Sequence, residues 1–445
     1  MQKRAWLIRH ISDYGMLIVL LILVLIFSIA TIKPLMPKGA SSGKRLADDI
    51  IEKVGKGAAV FVFVREDSQN KGQLIENDRE FLDGLRKRLD GSGKLVGVRL
   101  GKQPDWKKAF VEHRANGTEI DAYAVPLDNL ANQAVFNDIR DKIVAPRTYT
   151  GSTFLQLDSL LSIWSQVAIT AIIAIGMTFV IITAGIDLSV GSLVALSAVV
   201  MVWLVREWGG IEAGLLSVLA AGTVAIALCA LLGLGTGSMV TFFGMPPFIV
   251  TLGLMMIARG LAELITGGKS IREVPDGYEE LANGFSFGIP NAAILLVALY
   301  VVAHLVLTKT KFGRYVYAIG GNIEAARLSG VPIRKMVLSV YVIGGALAGL
   351  GGVMLSSQLR SGSHNFGEML ELDVIAAVVV GGASLMGGEG RMIGTLIGAL
   401  IIGVIRKGMN QVGLEGAPQA VVLGSLILIA VLLDQLKKQW LAKLT

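Results

Sequence analysis

The chain has 445 residues, of which 53% are hydrophobic, with a mean hydropathy of +0.64 and a formal net charge of +7. That apolar excess is beyond a soluble globular average, and repeated runs of about 18 or more residues with few charges are long enough to cross a bilayer as helices, so the chain reads as a polytopic α-helical membrane protein. The positive charge suits loops held at an anionic leaflet rather than nucleic acid; a lone cysteine, Cys229, excludes an intrachain disulfide, and four scattered histidines form no metal motif.

The first apolar run, about 14–32, follows Lys3, Arg4 and Arg9. It reads as an uncleaved span in preference to a leader ending at Ser28-Ile29-Ala30. Residues 1–37 thus form a tail and first span. Composition then changes: residues 38–150 hold 20 Lys/Arg and 17 Asp/Glu, and read as an aqueous domain. Strand-like runs at 58–64, 94–100 and 120–125 alternate with helical spacing at 73–89, 105–115 and 127–143. That βαβαβα order predicts a small parallel sheet with covering helices.

Residues 151–445 are membrane-like. Spans are expected near 163–183, 188–206, 213–233, 246–266, 291–308, 336–356, 370–383, 391–408 and 418–436, ten with the first. Glycines 381, 382, 387, 388 and 390 leave the seventh and eighth of these open to breakage or re-entry. An even count puts both termini on one side, with the basic 309–335 loop. The opposite-side loop 267–290 carries two basic and four acidic residues. The positive-inside rule therefore places the termini in the cytoplasm and 38–150 outside. Arg406 and Lys407, near an outer helix end, run against that rule.

Four segments carry the candidate chemistry. Asp187 lies between long apolar runs, bracketed by Gly185 and Gly191. A carboxylate at that depth must face a cavity, a partner or a loop. With Ser189 and Ser192 it reads either as a helix start or as part of a transport pathway. A related spelling at Gly388–Leu396 reads as an internal repeat or as a second small-residue turn. Pro246-Pro247-Phe248 with Thr251 opens a helix, in which Arg259 is expected to pair with Glu263 one turn on, or to touch substrate. The fourth segment, 309–335, holds six Lys/Arg and one acid, Glu324. Its Glu324-Ala325-Ala326-x-x-x-Gly330 form predicts a one- to two-turn helix with outward alanines, a Gly330 C-cap and a stop at Pro332. It reads either as a docking knob or as a charged tether. No P-loop is present: Gly268-Lys269-Ser270 lacks the leading glycine, position 263 being Glu.

From about Ser152 to Asp434 the chain resembles the membrane permease of ribose-type ABC sugar importers. The likeness rests on AIIAIGMTFVIITAGIDLSVGSLVALSA, PPFIVTLG with ARG, TKFGRYVYAIGGNIEAARLSGV, and LDVIAAVVVGGASLMGGEGRMIGTLIGALIIG, in that order. It implies a type II ABC importer permease in the bacterial inner membrane, binding no cofactor itself. The implied partners are cytoplasmic ATPase subunits, a periplasmic sugar-binding protein, a second permease copy and lipid. ATPase coupling would fall on Gly313, Arg314, Gly320, Asn322, Glu324, Ala325, Ala326 and Gly330. The membrane motif and pathway would fall on Gly185, Asp187, Ser189, Gly191, Phe248, Thr251 and Arg259. The departure is 38–150, where such permeases have a short loop; it resembles one lobe of a periplasmic sugar-binding protein. It reads as a contact for that protein, a partial replacement for it, or a decoration. The rival classes are a secondary transporter and a membrane-anchored sugar sensor. Asp187, Arg259, Glu263, Asp373 and His304 are too scattered for an ion relay, and no cytoplasmic signalling domain is apparent. An enzyme has no visible catalytic constellation.

Overall fold

The computed structural model describes residues 2–35, 39–64, 76–90, 94–100, 120–124, 142–144 and 147–442, together with Lys108 and Glu112. Two compact units emerge: Ile32–Thr153, and Met1–Thr31 with Phe154–Thr445.

After helix α1 (Gln2–Ala30), the small unit opens with strand β1 (Ile32–Leu35), followed by α2 (Gly39–Lys53), β2 (Ala59–Val64), α3 (Glu76–Leu89), β3 (Lys94–Leu100), β4 (Ala122–Ala124), β5 (Ile143–Val144) and β6 (Tyr149–Ser152). Four strands form one parallel sheet in the order β3-β2-β4-β5, with Val62 opposite both Val98 and Ala124. The period-2 pattern of β2 separates two sets of side chains. Val60, Val62 and Val64 join Leu46 and Ile50 of α2 and Phe81 and Leu85 of α3 in one core. Phe61 and Phe63 meet Tyr123, with the Phe63 and Tyr123 rings stacked at 5.8 Å. Burial raises the Tyr123 hydroxyl pKa.

The expected α/β character is present, with helix α2, strand β5 and the β1–β6 pair in addition. β1 and β6 run antiparallel, Ile32 opposite Ser152 and Leu35 opposite Tyr149, so the two chain ends of this unit leave side by side. The expected helices at 105–115 and 127–143 lie almost wholly outside the described residues.

The larger unit continues with α4 (Leu157–Ile182), α5 (Val190–Glu207), α6 (Leu215–Phe242), α7 (Pro247–Thr266), the single turn α8 (Glu280–Asn283), the short hairpin β7 (Phe285–Ser286) and β8 (Ile289–Pro290), α9 (Asn291–Lys309), α10 (Lys311–Gly321), α11 (Ile323–Leu328), α12 (Ile333–Leu359), α13 (Leu370–Val380), α14 (Met392–Gln411) and α15 (Ala417–Ala442). Among the described residues seven helices are long and apolar enough to cross a membrane: α4, α5, α6, α7, α9, α12 and α14. Shorter apolar stretches occupy Gly15–Ala30 and Ala417–Leu432. α4 and α5 are the most enclosed, whereas α6, α7 and α9 present most of their surface outward. α12 supplies the glycines for close packing. Its Gly344 lies against Gly176, and a side chain at Gly345 would overlap the Cys229 carbonyl oxygen. Small residues at such crossings let backbones approach within van der Waals contact.

Three expectations are corrected. The span expected at 370–383 is only the 11-residue α13, about 16 Å long and roughly half a hydrocarbon core. Gly381 ends it, and the ten residues before it are largely non-helical. The 213–233 span runs on to Phe242, because nothing between 234 and 242 breaks the helix. The segment 309–335 holds more helix than the one short turn expected: α10 precedes α11, and together they fill most of it. The basic residues near the far end of α14 are accommodated by polar partners. Arg406 pairs with Asp373 at 2.5 Å, and Lys407 donates to Ser162 at 2.8 Å.

At the end opposite 309–335, loop 267–290 is fastened to the end of α12 and the residues just after it. Ile271 pairs with Gly362, Tyr278 and Ser356 share a hydroxyl hydrogen bond at 2.9 Å, and Arg360 reaches Asp276 and Glu279. Burial pushes the Tyr278 hydroxyl pKa far up, with the Ser356 bond opposing it.

Candidate functional site

α10 starts at Thr310, whose hydroxyl accepts a hydrogen bond from the Gly313 amide. Gly313 is buried where a side chain would overlap the Leu307 carbonyl, and Arg314 beside it is exposed. Asn322 then separates two helices. It caps α11 by accepting from the Glu324 and Ala325 amides at 3.1 and 3.0 Å. α11 ends as the sequence predicts: Gly330 sits at φ +77°, its amide donating to the Arg327 carbonyl while Val331 donates to Ala326. Those two bonds form a Schellman cap, which needs a left-handed residue at Gly330.

Glu324 and Arg327 pair on the exposed face at 3.0 Å. Ala325 faces outward, but Ala326 is buried, which corrects the expectation that both alanines point out. The prominent outward side chain is Leu328, 89% exposed.

Behind this knob, three backbone segments meet. The end of α4, the end of α10 and the turn 384–390 converge on the Ile182 carbonyl. The Gly388 amide donates to that oxygen at 2.8 Å. A Cβ at Gly320 would overlap the same oxygen, and would lie 2.5 Å from the Gly388 nitrogen. The Tyr317 hydroxyl donates to the Gly390 carbonyl at 2.6 Å. Its pKa is raised by burial, with the Arg391 charge pulling the other way.

Five residues beyond Ile182 is Asp187, only 3% exposed. One carboxylate oxygen accepts from both the Ser189 amide, at 2.8 Å, and the Ser189 hydroxyl, at 2.6 Å. Asp187 therefore braces the turn before α5, whose N-cap position is Ser189. Gly185 is pressed against Tyr341: a Cβ there would come within 2.8 Å of the tyrosine oxygen. Thr251, buried on α7, reaches the Ile186 carbonyl at 3.4 Å. Gly191 lies where any side chain would overlap both the Gly367 carbonyl and the Glu371 carboxylate.

Arg259 does not form the expected pair with Glu263. Its guanidinium donates to the carbonyls of His364, in a very short contact, and Phe366, at 2.7 Å. Non-helical backbone inside a membrane unit needs such donors, because no lipid group can satisfy its carbonyls. Phe248 stands apart, 51% exposed on the first turn of α7. Thus Gly185, Asp187, Ser189, Gly191 and Thr251 form one neighbourhood and the 313–330 residues another, with Arg259 at the 360–369 segment.

Sequence reasoning missed Tyr317, Tyr341, Gly367 and Glu371. Only Glu371 left a trace, as one of two acids opening an apolar run. The late spelling 388–396 holds a place like that of 185–193: each is a glycine turn opening a helix, and Gly388 is bonded to Ile182, the last residue before the first turn. Among the described residues no group of three or more His, Cys, Asp or Glu is placed to hold a metal.

A family model described as the permease component of branched-chain amino acid transport systems matches residues 159–432. The chain is 44% identical over 287 residues to the ribose import permease protein RbsC of Bacillus subtilis, covering 64% of this chain and 87% of that protein. It is 41% identical over 293 residues to RbsC of Escherichia coli K12, covering 64% and 88%. It is 35% identical over 297 residues to the galactose/methyl galactoside import permease protein MglC of Haemophilus influenzae, again covering 64% and 88%. No solved structure matches the chain.

Proposed function

The chain belongs to this permease-component family, and from that premise we propose that it is the membrane permease subunit of an ATP-binding-cassette importer for a simple sugar, pentose or hexose. The relatives named for ribose and galactose import are covered over 87–88% of their own length, and the family match begins at residue 159. The observation that carries the reading is the capped helix α11, an exposed knob whose supporting helix α10 touches the backbone just before Asp187.

A transporter without a nucleotide motif needs an engine in another chain. α11 has the features of a docking element: rigid caps at both ends, one exposed leucine and an ion pair beside it. Its partner in this reading is a cytoplasmic ABC ATPase, so the 309–335 end faces the cytoplasm with both termini, and 38–150 lies outside. Two permease copies enclose the sugar path by alternating access, which suits the outward surfaces of α6, α7 and α9. A binding protein delivers the sugar from the periplasmic side. The α/β insert meets that protein or stands in for part of it; its described residues build one four-stranded sheet and so one wall of a sugar cleft.

Affinity purification of the tagged chain from its native membrane tests the reading. An ABC ATPase should copurify, and Leu328→Asp should release it. Removing one well-buried leucine contact costs about 1.5–3 kcal/mol, roughly ten- to a hundredfold in affinity. Retention of the ATPase by Leu328→Asp would remove the docking role from α11.

A further inference from the structure

We infer that the half-length helix α13 is the moving element of sugar passage, and that Gly320, Gly191 and Glu371 are positioning residues that hold its two ends. The inference rests on the coupling role assigned to α11.

Each end of α13 is gripped by a backbone contact that tolerates no side chain. At its last turn, Gly381 leads into the 384–390 turn. That turn is bonded to the end of α4 through Gly388 and Ile182, and to α10 through Tyr317 and Gly390. Gly320 of α10 sits on the same junction. At its first turn, Glu371 and the preceding Gly367 lie on Gly191, two residues into α5. The turn that joins α4 to α5 runs from Ile182 through Asp187 to Gly191. Displacement of α10 therefore acts on both ends of α13 at once: directly through the 384–390 turn, and through the Asp187 turn to Gly191.

α13 is short, and it is tied to α14 by the Arg406–Asp373 pair and by Gly394 and Gly398, which press on the Gly381 and Ala377 carbonyls, so the two move as one unit. α13 itself spans only 11 residues and starts after backbone held in left-handed conformations at Gly367 and Met369. The 360–369 lead-in depends on Arg259 for two of its carbonyl bonds. Two buried polar atoms along this route have no hydrogen-bond partner: the Glu371 Oε2, against Gly191, and the Tyr341 hydroxyl, against Gly185. Buried polar groups are normally satisfied. Two unsatisfied ones on a single route mark an arrangement that is completed when the route shifts.

The test uses the permease with its copurified ATPase, reconstituted in lipid nanodiscs. A reporter cysteine is placed at Leu372 on α13, which is 41% exposed, and another at Phe287 in the β7–β8 hairpin, which is fully exposed. Maleimide labelling is compared without nucleotide and with a trapped ATP analogue. The rate at 372 should change by about tenfold or more and the rate at 287 should not, as a population shift local to α13 requires. Gly320→Ala should abolish the change at 372 while the ATPase stays bound. Tyr317→Phe, which keeps the packing and deletes one hydroxyl, should reduce it. Equal labelling at 372 in both states of an intact complex would overturn this inference alone. Loss of the ATPase from the unmutated complex would overturn the coupling reading and this inference together.

Discussion

At the scale of single residues, two cations of the membrane unit, Arg259 and Arg406, find partners from distant parts of the chain. Arg259 serves two backbone carbonyls, and hydrogen bonds to a charged group contribute about 1.5–3 kcal/mol each. Arg259→Met should lower the melting temperature of the detergent-solubilised protein by several degrees, whereas Glu263→Gln should leave it unchanged, because no pair joins the two. Equal losses in both variants would restore the intrahelical ion pair. Arg406 and Asp373 make a second test. Removing one partner strands the other in a partly buried site, so Arg406→Leu should destabilise more than Arg406→Leu combined with Asp373→Leu. Additive losses in thermal unfolding would show that the pair is not coupled. The sequence displays all four of these charges, but not their partners. Arg406 and Asp373 are 33 positions apart, and the carbonyls that bind Arg259 belong to residues whose side chains carry no sign of it.

At the scale of elements, local chemistry was readable where it is local. Pro246-Pro247 opens α7, and Asn322 with Gly330 closes the two ends of α11. The Gly330 position requires a φ that proline cannot adopt. Gly330→Pro should therefore uncouple ATP hydrolysis from uptake while the membrane helices remain folded, and Glu324→Arg should do the same by placing two like charges in one turn. Uptake at the unmutated rate in both would reduce the segment to a tether. α13 was readable only at its end, where the glycines from 381 on mark a break. Its apolar run resembles a span, and contacts from a distant segment at Gly191 fix where the helix starts. Glycines illustrate the same limit. Gly320 and Gly321 are neighbours of identical type, yet a Cβ at Gly320 overlaps the Ile182 carbonyl while one at Gly321 meets nothing within 4 Å. Gly320→Ala should abolish uptake and Gly321→Ala should retain it, as measured in the same vesicles.

At the scale of the whole molecule, a helical permease unit is interrupted by an α/β unit with adjacent chain ends. Thr31 and Phe154, which flank the insertion, are themselves hydrogen-bonded at 3.3 Å. Leu35 and Tyr149 are already paired across β1 and β6, so an Asn-Gly turn joining them would make an ordinary hairpin. Replacing 36–148 in this way should leave the membrane unit folded, with its ATPase still bound. Any defect in sugar uptake would then belong to delivery from outside. A variant that fails to accumulate in the membrane would show that the two units fold together. The most direct test of the central claim is purification of the tagged full-length chain from its native membrane, with identification of what accompanies it. A stoichiometric ABC ATPase, lost on Leu328→Asp, is the expected result. A chain that purifies without any ATPase, and moves ribose or galactose into liposomes on an ion gradient alone, would contradict it.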